Sequence, residues 1–240
     1  MNSMTRVAVA TLALAACVAT LNAATGAATP THACAKKGSL RFKAADGTRL
    51  AGHRFGHGTT AVVLAHQSNG NVCQWAPYAR RLASLGYLAI AFDFRGHGDS
   101  QYRKYPASRR LAGDVSAAVK VARRLGAKKV VLVGASLGGI AVVVAAANTR
   151  PPVNGVINLS GPANFGGIDA VAAARRLQVP VLYIAGDNDD GFTEDARKLY
   201  EATAETDKAL ELIPGAEHGV QLVSRAGRAR TLVETFIAAH

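Results

Sequence analysis

The sequence predicts an α/β fold with a mostly parallel central sheet, a leading antiparallel hairpin and helices on both faces. Short β-rich runs alternate with amphipathic helical stretches along most of the chain, which is the pattern of α/β proteins. Most of these runs are apolar throughout, as expected of strands buried on both faces. The 240 residues, 49% of them hydrophobic, suit one large domain or two small ones. No internal repeat or domain break interrupts the pattern.

The first predicted element is the hairpin. Ser39–Lys43 and Arg49–Arg54 flank Asp46-Gly47, a dipeptide that favours a two-residue turn. Six buried strands are predicted after it: Ala61–Ala65, Tyr87–Phe92, Val130–Val133, Val153–Leu159, Val181–Ala185 and Ala209–Ile213.

Helices are predicted between these strands. Apolar residues from Leu111 to Leu125 recur at helical spacing and form one buried stripe, which Gly126 ends. A second helical stretch covers Ile140–Ala147 and a third covers Ile168–Leu177.

The N-terminus resembles a bacterial signal peptide over residues 1–16, with Arg6 followed by an apolar stretch at Val7–Ala16 that is too short to span a bilayer. Residues 14–17 read Leu-Ala-Ala-Cys, which resembles a lipobox and predicts lipidation of Cys17. The alternative is ordinary cleavage further on, as late as about residue 33. Residues 17–33 are rich in Ala and Thr and predict a flexible tether. The chain is therefore expected to be exported, either as a membrane-anchored lipoprotein or as a secreted or periplasmic protein.

Three cysteines leave one over if two of them pair in an oxidising compartment. Cys17 is the natural odd one, so a disulfide between Cys34 and Cys73 is predicted. Two separate free thiols are the alternative. The folded domain is expected to begin at Cys34 and to run to residue 240.

The net charge of +12 raises the question of nucleic acid as a partner. The basic residues come in pairs, at Arg80-Arg81, Arg123-Arg124 and Arg175-Arg176, each near the predicted end of a helix, where a cation complements the helix dipole. No pair is interleaved with stacking aromatic residues. The charge therefore predicts a solvated surface and no nucleic-acid partner.

The most informative segment is the predicted strand Val130–Val133 followed by Gly134-Ala135-Ser136-Leu137-Gly138-Gly139. It places Ser136 on a strand-to-helix turn, where a nucleophilic serine is held in a strained conformation between glycines. A dinucleotide-binding loop is the competing interpretation. Such a loop belongs at the first strand-to-helix turn of a domain, whereas this one lies in mid-chain.

Partners for a nucleophilic serine follow in the chain. The strand at Val181–Ala185 leads through Gly186 into acidic residues, of which Asp189 is the predicted acid and Asp187 and Asp190 are the rivals. A histidine, His218, lies in the loop after the last predicted strand.

These three segments resemble the α/β-hydrolase family, in which serine, acid and histidine occur in this chain order. The resemblance runs from about residue 39 to the C-terminus. It implies that Ser136 is the nucleophile, Asp189 the acid and His218 the general base. Residues 161–180 are too few for a separate cap domain, so an open site is expected.

Two further segments resemble the family with differences. His66-Gln67-Ser68 follows the third predicted strand, where many relatives have His-Gly, and the backbone N–H groups of Ser68 and Leu137 are the predicted oxyanion donors. The Asp93-x-Arg95-Gly-x-Gly-x-Ser turn is interpreted as structural, since neither Asp93 nor His97 fits the serine, acid, histidine order.

The sequence therefore predicts an exported serine hydrolase, most simply a carboxylic-ester hydrolase that works through an acyl-enzyme and acts on a small or polymeric ester. A peptidase or amidase with the same triad and a non-catalytic tethered binding protein are the alternatives. No cofactor is expected, and no metal-ligand spacing is present in the sequence. Trp75, Tyr78 and Phe165 are candidates for lining an acyl pocket, although ordinary packing is the simpler explanation for each.

Overall fold

The computed structural model of the protein describes residues 33–35, 38–102, 110–225 and 227–240. The predicted signal segment, the lipidation site Cys17 and the tether up to residue 32 lie outside the described residues. No helix within the described ranges is long and apolar enough to cross a membrane.

The described residues alternate strands and helices as the sequence predicts. The strands are β1 Ser39–Lys43, β2 Arg49–Phe55, β3 Thr60–Ala65, β4 Leu88–Asp93, β5 Lys129–Ala135, β6 Gly155–Leu159, β7 Asn164–Phe165, β8 Ile168–Asp169, β9 Val181–Gly186 and β10 Lys208–Ile213. The helices are α1 Val72–Ser84, α2 Leu111–Arg124, α3 Leu137–Asn148, α4 Ala170–Ala174, α5 Phe192–Ala202, α6 Gln221–Ser224 and α7 Arg228–Ala239.

Eight of the strands form one sheet in the order β1-β2-β4-β3-β5-β6-β9-β10. The pairs β1–β2 and β2–β4 are antiparallel, and the six strands from β3 to β10 in this sheet run parallel. The prediction of a parallel sheet with a leading antiparallel hairpin is confirmed. Because the parallel strands share one direction, the loops that carry Ser68, Ser136, Asp189 and His218 all emerge at the carboxyl edge of the sheet.

Helices cover both faces of the sheet and create two apolar layers. The larger layer packs α2, α3, α4 and α5 against one face. The smaller layer packs α1, α6 and α7 against the other face. The inner strands β3, β4, β5, β6 and β9 are almost wholly buried as a result, which explains why their sequences are largely apolar, whereas the edge strands β1 and β10 are partly exposed. The expectation that residues 209–213 are buried on both faces is therefore wrong, because β10 ends the sheet.

Two local predictions need correction. Lys43 pairs with Arg49, so a five-residue loop joins β1 to β2 instead of a two-residue turn. The Ala44 N–H donates to the Thr48 carbonyl at 2.9 Å, which closes the longer loop around Asp46-Gly47, and the Asp46 carboxylate accepts hydrogen bonds from the Thr48 N–H and from Arg95. The helix predicted from Ile168 begins later, because Ile168 pairs with Phe165 between β7 and β8 and the following aspartate caps α4.

The predicted structural turn after β4 is organised by Asp93. Its carboxylate accepts hydrogen bonds from the Val72 N–H at 2.8 Å and from the Asp99 N–H at 2.9 Å. A Cβ atom at Gly98 would overlap this carboxylate, and the residue has a φ of 47°. The turn therefore needs glycine here, and Asp93 links it to the first turn of α1.

Arg95 in the same turn forms a buried ion pair with Asp114 of α2. The guanidinium is 3% exposed and the carboxylate is fully buried, with Nη2 to Oδ1 at 2.6 Å and Nε to Oδ2 at 3.0 Å. A second carboxylate, Asp46, lies 2.8 Å from Nη1. Burial alone would lower the pKa of Arg95, but the hydrogen bonds to both carboxylates raise it, so the guanidinium stays charged.

We expect Arg95→Met to lower the free energy of unfolding by about 3–5 kcal/mol, because it leaves the Asp114 carboxylate buried without its partner. The matched control is Arg81→Met, which removes an exposed pair with Glu234 and should cost far less stability, because solvent screens that pair. Urea denaturation of both variants beside the wild type measures the difference, and equal losses would contradict this account.

The structure joins Cys34 and Cys73, whose Cα atoms lie 5.6 Å apart, in the disulfide that the cysteine count favours. Cys73 lies in the first turn of α1, next to the loop that follows β3. The bridge therefore ties the start of the described domain to an element beside the carboxyl edge of the sheet.

Intact-mass measurement of alkylated mature protein should find no free thiol on Cys34 or Cys73 before reduction and two afterwards. Since the bridge closes a loop with a sequence separation of 39 residues, its reduction should lower the free energy of unfolding by about 4 kcal/mol. Alkylation of both cysteines without reduction would show that the pair is not oxidised.

Candidate active site

The turn between β5 and α3 holds Ser136 in a strained backbone conformation. Its φ is 50° and its ψ is −114°, a combination that costs a non-glycine residue about 1–3 kcal/mol. The Ser136 N–H donates to the Leu159 carbonyl at 2.8 Å, which ties the turn to the end of β6. A side chain held in this way stands clear of the sheet and of the helix that follows.

Glycines make the turn tight enough to form. A Cβ atom at Gly134 would overlap the carbonyl oxygen of Gly138, and one at Gly138 would overlap the carbonyl oxygen of Ala65. Both overlaps involve backbone atoms, which cannot move aside. The tightness of the turn therefore excludes a side chain at Gly134, and the close approach of the turn to the end of β3 excludes one at Gly138.

Asp189 and His218 form a hydrogen-bonded pair at the same edge of the sheet. His218 Nδ1 lies 3.0 Å from each carboxylate oxygen of Asp189, and Asp189 is only 6% exposed. Asp187 instead accepts from the Gly215 N–H at 2.9 Å, and Asp190 is exposed. The geometry thus pairs the histidine with the predicted acid and with neither rival.

This pairing assigns the protons on the imidazole ring. An ionised carboxylate can only accept, so Nδ1 donates to Asp189 and Nε2 is left with its lone pair. The ring of Phe192 packs against the imidazole with 4.3 Å between centroids. His218 is therefore held as the tautomer that can accept a proton through Nε2.

The histidine loop packs directly on the serine turn. A Cβ atom at Gly219, the residue after His218, would lie 3.3 Å from the Cβ of Ala135, the residue before Ser136. The Gly219 N–H donates to the Ser160 hydroxyl at 3.1 Å. Ser160 directly follows β6, has a φ of 50° and is almost fully buried. Nothing in the local sequence around Ser160 indicates this contact.

A cleft of about 300 Å³ opens beside Ser136. Leu137, Phe165 and Phe192 supply apolar walls, and Ser68, Asp190 and Asp195 also line it. Of the three aromatic residues considered for an acyl pocket, Phe165 lines this cleft and is about half exposed. Trp75 and Tyr78 are buried with α1 in the smaller apolar layer, so they serve the core.

Ser68 and Leu137, the predicted oxyanion donors, both line the cleft. Leu137 is the first residue of α3, so its N–H has no carbonyl one turn earlier within the helix. The structure thus lines the cleft with Ser68, Ser136 and Leu137, and it pairs Asp189 with His218 in loops at the same edge of the sheet. In the described part of the chain, no group of three or more His, Cys, Asp or Glu side chains is arranged to hold a metal ion.

Comparisons with known proteins place this geometry in context. The family model described as serine aminopeptidase, S33, matches residues 56–169, a little under half of the chain. No curated protein matches the chain significantly.

Solved structures resemble the fold over most of the chain. An esterase from Rhodococcus sp. has a TM-score of 0.71 at 20% identity, covering 85% of this chain and 99% of its own. A monoacylglycerol lipase from Paleococcus ferrophilus has a TM-score of 0.68 at 21% identity, covering 80% of this chain and 99% of its own. An enol-lactonase from Burkholderia xenovorans has a TM-score of 0.69 at 18% identity, covering 83% and 100%.

Sheet order, the strained serine turn at the carboxyl edge and the sequence match over the central part of the chain agree with one another. The chain therefore has the α/β-hydrolase fold.

Proposed function

We propose that the protein is an exported serine hydrolase that cleaves carboxylic esters through an acyl-enzyme intermediate. The observation that carries the proposal is the Asp189–His218 pair, packed against the turn that presents Ser136 to an open apolar cleft. In this arrangement Ser136 acts as the nucleophile, His218 as the general base and Asp189 as the acid that orients the base.

In the proposed reaction, the Ser136 hydroxyl oxygen attacks the ester carbonyl while His218 Nε2 takes its proton. Asp189 stabilises the imidazolium that forms, and the N–H groups of Ser68 and Leu137 donate to the oxyanion. Collapse breaks the bond to the leaving alcohol, which takes the proton from His218. Water, deprotonated by the same histidine, then releases the acid and restores the serine.

The walls of the cleft favour an acyl group as the bound part of the substrate. Leu137, Phe165 and Phe192 present apolar surface next to Ser136. Between β6 and β9 the chain contributes only the short β7–β8 pair and the five-residue helix α4. With no larger element in that stretch, a bulky or polymeric ester could approach the serine.

The similar solved structures named above include an esterase, a lipase and a lactonase, and all three names refer to ester bonds. They support the choice of esters. The second candidate is a peptidase or amidase, which the description of the matching family model favours. Both use the same triad and differ in the leaving group that His218 must protonate.

Export remains part of the proposal and rests on the N-terminal sequence and on the Cys34–Cys73 disulfide. Lipidation at Cys17 would hold the domain at a membrane surface through a tether of about 16 residues, and ordinary cleavage would release it. Labelling of expressing cells with a radioactive fatty acid, beside a Cys17→Ser variant, distinguishes the two.

Ser136→Ala should lower kcat on p-nitrophenyl esters by about 10⁴- to 10⁶-fold and abolish labelling by a fluorophosphonate, with thermal unfolding unchanged. Ser84→Ala, at an exposed serine of α1, is the matched control and should behave as wild type. Esters from acetyl to palmitoyl and the corresponding p-nitroanilides separate esterase from amidase. Turnover retained by Ser136→Ala would remove the proposed mechanism.

The acid of the proposed triad is tested at Asp189. Only the unprotonated ring of His218 accepts the Ser136 proton, and Asp189 selects the tautomer that presents Nε2 for it. Asp189→Asn should lower kcat by about 10⁴-fold, since the carboxylate that selects the tautomer is lost. Asp190→Asn is the control and should keep most of kcat; a reversed result would transfer the role of acid to Asp190.

A further inference from the structure

The peptide that carries the Ser68 N–H is held rigidly by its neighbours. The Gln67 carbonyl accepts from His66 Nδ1 at 2.8 Å and from the Gly70 N–H at 3.1 Å. The Phe94 N–H donates to His66 Nε2 at 3.0 Å, so the ring proton must be on Nδ1. The buried imidazole therefore acts as a fixed donor to Gln67.

This arrangement also sets the direction of the Ser68 N–H. The Gln67 carbonyl and the Ser68 N–H belong to one planar trans peptide and point in opposite directions. Anchoring the carbonyl to the His66 ring therefore fixes the Ser68 N–H on the opposite side of the peptide, in a residue that lines the cleft. At the other end of the residue, the Gln67 N–H donates to Gln74 Oε1 at 3.3 Å.

The Gln67 side chain crosses to the histidine loop. Its Oε1 accepts from the Val220 N–H at 3.2 Å, a contact between residues 153 positions apart in sequence. A Cβ atom at Gly219 would lie 2.7 Å from the same oxygen, so the glycine is what lets the side chain approach. The two N–H groups that follow His218 are thus taken by side chains from two different strand ends, Ser160 after β6 and Gln67 after β3.

We propose that Gln67 is a positioning residue that holds the oxyanion donor Ser68 and the loop of the general base His218 in register. The inference rests on the proposed function. Its backbone holds the peptide of the oxyanion donor Ser68, and its side chain holds the loop of the base His218. One residue therefore sets the distance between donor and base. A glycine at this position would have no side chain to make the second link.

The consequence is a loss of rate without a loss of binding. The apolar walls of the cleft come from Leu137, Phe165 and Phe192, and Gln67 is not among the residues that line it. Removal of the Oε1 acceptor should therefore leave substrate affinity unchanged while His218 is displaced from its position. Because small displacements of catalytic groups are costly to the chemical step, kcat should fall while KM stays nearly constant.

The test compares Gln67→Met with Gln67→Glu in the full-length mature protein. Methionine has a similar length and no carbonyl oxygen, so kcat on p-nitrophenyl esters should fall about tenfold, with KM within about twofold of wild type. Glutamate keeps an acceptor oxygen and should restore kcat at the alkaline plateau. Its negative charge near the His218 loop should shift the acid limb of the pH profile to higher pH.

Gln101→Met is the matched control. Gln101 Oε1 accepts from the Arg49 N–H at 3.1 Å. This variant therefore removes the same kind of hydrogen bond, from a backbone N–H to a side-chain amide oxygen, at the start of β2 on the outer side of the sheet. Its kcat per active site, titrated with a fluorophosphonate, should equal that of wild type. If Gln67→Met also keeps full kcat per active site and only its thermal stability falls, Gln67 is merely structural and the inference is wrong.

A second readout needs no substrate and separates this inference from the proposed function. The low-field proton NMR signal of His218 Nδ1–H reports its bond to Asp189, and it should exchange faster with water in Gln67→Met than in Gln101→Met. If the wild type shows no turnover and no labelling, the proposed function fails, and the His218 Nδ1–H signal alone then tests whether Gln67 positions the His218 loop. An unchanged signal overturns the inference.

If Gln67→Met does not fold, Gln67→Asn replaces it in both experiments. Asparagine is one methylene too short to reach the Val220 N–H.

Discussion

The close approach of two backbone segments at the carboxyl edge of the sheet is the constraint on which the site depends. Gly138 lies against the carbonyl oxygen of Ala65, so the serine turn and the end of β3 touch without intervening side chains. This contact places the turn that carries Ser136 directly beside the loop that carries Ser68. A side chain at Gly138 would push the two segments apart, and one at Gly134 would open the turn itself.

Around this contact, side chains fix loops that have little regular structure of their own. Asp93 and Arg95 hold the turn after β4 and connect it to α1 and α2 through buried charge and backbone donors. His66 and Gln74 hold the loop after β3. The pattern is the same in each case, since a polar side chain at a strand end satisfies a backbone group that secondary structure leaves unpaired.

The loop that carries His218 is held from several directions at once. Asp189 orients the imidazole ring, Ser160 takes the N–H of Gly219, and Gln67 takes the N–H of Val220. These three side chains follow three different strands, β9, β6 and β3. The position of His218 is therefore a property of the whole sheet edge and not of its own loop.

Much of the fold could be predicted from the pattern of apolar residues and glycines in the sequence. The parallel strands were recognisable because burial on both faces demands apolar runs, and α2 because its apolar stripe ends at a glycine. Ser136 was recognisable because its turn requires glycines at fixed positions. The hairpin loop and the start of α4 were misjudged, because Asp46 bonds to Arg95 and Ile168 pairs with Phe165, and local preference does not encode such distant partners.

The sequence by itself determined the fold class, the serine turn and the order of acid and histidine, because these depend on local sterics and on periodic burial. Only the tertiary structure decided which aspartate meets His218, since Asp187 and Asp190 carry the same group within two positions of Asp189. It also decided what Gln67 and Ser160 do. Their partners lie 153 and 59 residues away along the chain, and only the folded sheet brings those strand ends together.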